Sequence, residues 1–188
     1  MLEELSKRLL RHQRPIRIAI TGSLASGKST ALKAFRAAGY ATASADQIVE
    51  QIYKRRAVTK SELLKRYSRS RTGIKKLEAW IHPQVKREVS KFLKNSRRSS
   101  VVEIPLLFEA GMQSHFDFII YIFCPKLLRA KRALKRGMNS KLFQALDARQ
   151  WSAYQKASLS NLVLHNWDKK KYKARAMQLA KFLRQVHN

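Results

Sequence analysis

The chain has 188 residues, 45% of them apolar, with six glycines and four prolines. That is the length of one domain with enough apolar side chain for a proper core, and it excludes a linker-rich or low-complexity protein. Forty Lys and Arg against twelve Asp and Glu give a net charge of +28; the single Cys124 excludes an intrachain disulfide framework and a cysteine zinc site, and no apolar run is long enough to span a bilayer.

At the start of the chain Leu2, Leu5 and Leu9 recur at helical spacing and predict a short amphipathic helix. The stretch lacks the apolar core and small-residue cleavage site of a signal peptide, and Glu3 and Glu4 do not suit an organelle-targeting peptide, so a cytoplasmic protein is expected. Ile16-Arg17-Ile18-Ala19-Ile20 reads as a buried strand. Gly22-Ser23-Leu24-Ala25-Ser26-Gly27-Lys28-Ser29-Thr30 follows, matching the phosphate-binding pattern of glycine, four residues, glycine, lysine, then serine or threonine. From Ser29 the chain reads as a helix. Strand, glycine loop and helix N-terminus make an anion site, because loop amides point at phosphate oxygens and the helix dipole adds positive charge. The expected nucleotide-binding residues are therefore Gly22, Ala25, Ser26, Gly27, Lys28, Ser29 and Thr30, with Lys28 on the β- and γ-phosphates of ATP and the Ser29 hydroxyl on Mg²⁺.

Gly39 ends the first helix, and 40–45 reads as a second strand with Asp46 at its carboxyl end, placed to cap a helix from Gln47 to Arg55. Helices are predicted over 59–68 and 73–81, the second with a face of Ile74, Leu77, Trp80 and Ile81, and Pro83 is expected to open a separate helix running to about Leu93. Residues 99–104 form a third strand and 116–123 a fourth, which Cys124 ends as a buried structural thiol. Pro125 starts a helix bearing Arg129, Arg132 and Arg136; residues 137–158 are polar and read as mobile; 161–165 is a fifth strand. The last helix, 169–186, turns Tyr172, Ala176, Leu179, Ala180 and Leu183 inward. Apolar strands alternating with helices imply an α/β protein with a parallel sheet covered on both faces.

Behind the glycine loop stand, in order, Asp46, the run Leu77-Glu78-Ala79-Trp80-Ile81-His82-Pro83, and Ile104-Pro105-Leu106-Leu107-Phe108-Glu109. With these the chain resembles the dephospho-coenzyme A kinase family from about Ile16 to the C-terminal helix. The resemblance implies a three-layer P-loop NTPase fold with a five-stranded parallel sheet, a helical substrate-side insertion and a lid. On this chain the core would be about 14–47, 99–136 and 159–188, the insertion about 48–98 and the lid about 137–158, all within one kinase domain. It also implies transfer of the γ-phosphoryl of ATP-Mg²⁺ to the 3′-hydroxyl of the adenosine ribose of dephospho-coenzyme A.

Residue by residue, Asp46 matches the second aspartate of the family's Asp-Ala-Asp motif and would orient the hydroxyl and accept its proton, a role compatible with helix capping. Glu103 matches an acidic position at the end of the third strand, either holding Mg²⁺ through water or serving a structural role. Arg136 matches a lid arginine that would neutralise the transferring phosphates, or is a solvated helix residue. His82 and Glu109 match motif positions assigned to the substrate, with capping or packing the other reading of His82. Gln150 matches the lid glutamine.

The chain departs from the family at Ser44, where the first aspartate of that motif stands; at Ser23 and Ala25, which are glycine positions; at Leu146, where an arginine is common and for which Arg149 is a substitute; and in a shortened stretch between Asp46 and His82. Two alternatives follow: a related P-loop kinase acting on another nucleoside-like alcohol, and a weakly active homologue that binds polyanions. The second draws on the basic clusters Arg8, Arg11, Arg14; Lys54, Arg55, Arg56; Lys75, Lys76; Arg97, Arg98; and Lys169, Lys170, Lys171. Charge of this size favours nucleic acid or acidic surfaces, or is simply a solvated basic surface.

Overall fold

Ile16, Ile18, Ala19 and Ile20 have no exposed surface, which puts the first strand in the middle of a sheet. The computed structural model describes residues 15–56 and 71–187; the predicted N-terminal helix and the predicted helix over 59–68 lie outside them. In chain order the elements are β1 (Arg17–Gly22), α1 (Lys28–Ala37), β2 (Ala41–Ser44), α2 (Ala45–Arg55), α3 (Arg71–Asn95), β3 (Ser100–Glu103), β4 (Phe118–Phe123), α4 (Lys126–Leu134), α5 (Ser140–Asp147), α6 (Ala153–Ser158), β5 (Leu162–His165) and α7 (Lys169–His187). The sheet order is β2-β3-β1-β4-β5. Ile18 pairs in parallel with Val101 on one side and Phe118 on the other, and β4 pairs in parallel with β5. The crevice where α/β sheets bind ligands lies beyond the carboxyl ends of the central strands, where strand order reverses. Here that place follows β1.

The described residues divide into two compact units: those up to Thr42 together with Ser96 onward, and those within Ala43–Asn95. In the first, α1 and α7 share a core with the sheet. Ala31, Leu32 and Phe35 join Tyr172, Ala176, Ala180 and Leu183 beside Ile18, Ile20, Val101, Ile120 and Ile122. Each fully buried isoleucine here contributes about 1.5–3 kcal/mol. The small Ala176 and Ala180 let α7 lie close to its neighbours, which secures the chain immediately behind the glycine loop.

In the second unit, Ile81, Val85, Val89 and Leu93 repeat every fourth residue and are buried, and the Trp80 ring stacks on Tyr53 with centroids 6.4 Å apart. The break expected at Pro83 does not occur. Pro83 sits inside the 25-residue helix α3. Its missing N–H removes the helical bond to the Ala79 carbonyl, and the helix continues through that gap; the next residue, Gln84, donates its side-chain amide to the Trp80 carbonyl at 3.0 Å.

Three further expectations are corrected. The helix after β2 starts at Ala45 with Ser44 in the capping position, so Asp46 lies in the first turn and is not the cap. Helix α4 stops at Leu134, and Arg136 falls in the turn beyond it, its N–H bonded to the Ala133 carbonyl. Residues 137–158, read as mobile, carry α5 and α6. Asn139 caps α5 by accepting the Leu142 N–H, and Ser152 with Gln155 forms a reciprocal capping box on α6.

Candidate active site

The loop between β1 and α1 holds its shape through two glycines. Gly22 has φ +154°, and a Cβ there would lie 2.7 Å from the Ile122 carbonyl oxygen; Gly27 has φ +105°, and a Cβ there would lie 2.3 Å from the Asn166 amide nitrogen. Neither position admits a side chain. Ala25, at φ 59°, is the one non-glycine residue with positive φ among the described residues. It carries a left-handed backbone costing roughly 1–2 kcal/mol.

The loop's carbonyls are held from behind. Lys28 is buried, and its Nζ donates to the Gly22 carbonyl at 2.9 Å and the Ser23 carbonyl at 3.1 Å. The Arg129 Nη1 donates to Leu24 at 3.4 Å, the Asn166 amide to Ser26 at 2.6 Å, and the Tyr172 hydroxyl to Gly27 at 2.8 Å. With these five carbonyls engaged, the loop can present to a ligand its N–H groups other than those of Leu24 and Ser26, which donate to Gln150 and to the Ser23 carbonyl. Helix α1 adds to this, with no acidic residue in its first turn and no side-chain cap. Its positive end is therefore not neutralised locally.

Burial, reinforced by the negative charge of Glu103, pushes the Tyr172 phenol well above the ordinary tyrosine range, so it stays a donor to Gly27 at any physiological pH. Burial also raises the Cys124 thiol, against the pull of Arg132 and Arg129. Cys124 is a free, buried cysteine, as expected from its position; its Sγ accepts a bond from Arg132 Nη1 at 3.2 Å. The Ser26 hydroxyl is buried and has no hydrogen-bond partner within the described structure.

Glu103 is buried at the end of β3, in register with Ile20. Ser29 is exposed and Thr30 half-buried at the first turn of α1. The phosphate-loop residues, Glu103 and Gln150 thus belong to one unit. Asp46 and His82 belong to the other: Asp46 is exposed in the first turn of α2, and His82 is half-buried in α3. Arg136 is exposed.

Glu109, expected on the substrate, has one carboxylate oxygen engaged within the protein. Its Oε1 accepts from the Lys156 ammonium at 2.7 Å and from the Trp151 N–H at 2.9 Å. Gln150 reaches the loop itself, its Oε1 accepting the Leu24 N–H at 2.8 Å. Sequence reasoning had placed Gln150 in the lid and Tyr172 in the core, without their contacts to the loop. It missed Lys156, Asn166, Asp147 and the buried contacts of Arg129. None of these carries a local signal, since each is a polar residue whose partner lies far along the chain.

A sheet of this order, with a glycine loop opening α1 after the central strand, defines a P-loop kinase, an ATP-dependent phosphotransferase. A family model described as dephospho-CoA kinase matches residues 69–171. The dephospho-CoA kinase of Brucella melitensis is 32% identical over 168 residues, 78% of this chain and 84% of that one; that of Zymomonas mobilis is 30% identical over 170 residues, covering 79% and 86%. The chain belongs to the dephospho-CoA kinase family. Among solved structures it is similar to TT1252 from Thermus thermophilus, with TM-score 0.77 and 26% identity over 89% of this chain and 96% of that one. It also shares the fold of a dephospho-CoA kinase from Campylobacter jejuni, with TM-score 0.68 and 22% identity over 92% and 98%.

Proposed function

We propose that this kinase transfers the γ-phosphoryl of ATP to the 3′-hydroxyl of the adenosine ribose of dephospho-coenzyme A. The observation that carries the reading is the loop whose carbonyls at Gly22, Ser23, Leu24, Ser26 and Gly27 are turned back onto the scaffold, in a chain of this family. Phosphoryl transfer needs positioning and charge neutralisation more than covalent chemistry. Lys28, bonded here to its own loop, exchanges those carbonyls for the β- and γ-phosphate oxygens. Arg136, exposed and past the end of α4, adds positive charge to the transferring group.

Asp46 orients the acceptor hydroxyl and takes its proton as the oxygen attacks phosphorus. His82 contacts the acceptor substrate. Ser29 and Glu103 offer the hard oxygen donors that Mg²⁺ takes alongside water and phosphate oxygens, and an exposed hydroxyl with a buried carboxylate at the end of β3 fits that ion. When bound, Mg²⁺ neutralises phosphate charge. In domain terms, 48–98 is the substrate-side insertion and 137–158 the lid of a single kinase domain. No described helix is long and apolar enough to cross a membrane, and a cytoplasmic enzyme is the reading that accords with this.

The test is incubation of the purified protein with ATP, Mg²⁺ and dephospho-coenzyme A, following ADP and the 3′-phosphorylated product. Turnover of another nucleoside-like alcohol, with none of dephospho-coenzyme A, would move the assignment to a related kinase. A second reading rests on the +28 charge and on Lys169, Lys170, Lys171 and Lys173, all exposed along α7: non-specific binding of nucleic acid beside catalysis. Retention on RNA or DNA should fall steeply between low and moderate salt as counterions are released, and absence of binding at low salt removes it.

A further inference from the structure

Lys156 is fully buried, although it sits on the six-residue helix α6 between exposed Gln155 and half-buried Ala157. The reaction scheme above does not use it. A buried ammonium is costly unless it is paired and hydrogen-bonded. Here its Nζ meets Glu109 Oε1 at 2.7 Å and donates to the Pro105 carbonyl at 3.3 Å. The same carbonyl accepts from the hydroxyl of Thr21, at 3.4 Å, and Thr21 is the residue directly before Gly22. Glu109 Oε1 also accepts the Trp151 N–H, and the Trp151 ring stacks on Phe108 with centroids 6.2 Å apart. Next to Trp151 is Gln150, whose Oε1 takes the Leu24 N–H of the phosphate loop.

A buried ion pair is a weak source of stability, because two apolar side chains of similar volume often serve as well. What this pair adds is direction: two bonds on one carboxylate oxygen set where residues 150 and 151 lie. We propose that Lys156 and Glu109 are positioning residues that anchor the lid to the turn after β3, so that Gln150 is held on the Leu24 amide at the mouth of the phosphate loop. Glu109 then acts on the lid and not on the substrate. The anchor is present in the protein without ligand. Only its kinetic consequence rests on the kinase reading.

The test uses the full chain, with Lys156→Met and with the paired variant Lys156→Met/Glu109→Leu. Amide hydrogen exchange is followed at Leu24, which neither residue touches, and at β1 and β4 as internal controls. In both variants the Leu24 amide should exchange about tenfold faster or more while the strand amides keep their protection. In the paired variant thermal stability should return toward that of the unaltered protein without recovery at Leu24. With ATP and dephospho-coenzyme A, kcat should fall about tenfold or more and KM for ATP should move by no more than about threefold, because a displaced lid misaligns groups after binding. A stable paired variant with unaltered Leu24 exchange overturns the proposal, as does turnover that falls only in proportion to the unfolded fraction. If the unaltered protein does not phosphorylate dephospho-coenzyme A, the substrate assignment fails, while the exchange result still decides the anchor.

Discussion

Replacing Arg129 by Met removes a charge that the sequence presents as one basic residue among many. The side chain is buried, and its guanidinium serves four groups. Nε donates to the Cys124 carbonyl at 3.0 Å and Nη1 to the Leu24 carbonyl at 3.4 Å. Nη1 also pairs with Asp147, and the group lies 5.8 Å from the centroid of the Phe143 ring. Arg129 therefore ties the helix after β4 to both the glycine loop and helix α5.

Methionine keeps much of the packing but none of the donors. Breaking a buried pair from one side costs about 3–5 kcal/mol. The low end applies here, because the Asp147 carboxylate retains Lys126 at 3.5 Å. The expected loss is about 3 kcal/mol, a large share of the roughly 5–15 kcal/mol that holds a domain together, and it corresponds to a fall in Tm of about 6–12 °C at this size. Urea unfolding followed by circular dichroism should show a lower midpoint with an unchanged slope. Arg129→Met/Asp147→Leu, which removes both charges, should regain at least half of the loss. A loss below about 1 kcal/mol in Arg129→Met, with the slope unchanged, refutes the argument that this guanidinium joins the loop to α5.

Lys28→Ala should abolish phosphoryl transfer while the circular dichroism spectrum stays native, since the lysine is proposed to stabilise phosphate charge and the carbonyls of Gly22 and Ser23 that it holds lie in the loop; turnover in a folded variant counts against the phosphate-loop assignment. Asp46→Asn should keep ATP affinity and lose about a hundredfold or more in kcat, and near-normal turnover would demote Asp46 from its role as base. Cys124, buried with its thiol pushed up by burial, should react slowly with iodoacetamide at neutral pH in the native protein and quickly in urea; rapid native labelling would contradict its burial. Asp168 accepts the Lys171 N–H at the start of α7, and that bond lowers its carboxyl below the ordinary value. Its contribution is therefore present above about pH 3.9 and lost as pH falls through the lowered folded value. Asp168→Ala should lack that part of the acid unfolding limb, which parallel pH titrations of stability would measure.

Much of this molecule is written locally. The glycine loop is legible because its two glycines, its lysine and its hydroxyl residues stand at a fixed spacing within nine consecutive residues. The central strands β1, β3 and β4 are legible because a parallel sheet buried on both faces demands apolar runs, and the inward face of α7 because Tyr172, Ala176, Ala180 and Leu183 follow the helical period. Motif order then reached the family. Local rules misjudged Pro83, since a helix packed along the buried face of Ile81, Val85, Val89 and Leu93 can absorb one lost bond, and they misjudged 137–158, where polar composition looked like mobility. Only the tertiary structure decided that Glu109 meets Lys156, that Arg129 meets Asp147, and that Asn166 and Tyr172 brace the loop from behind. Those pairings have no period and no spacing. Packing brings the partners together from distant parts of the chain, and a polar side chain taken out of water must then bond to whatever partner the fold has placed beside it.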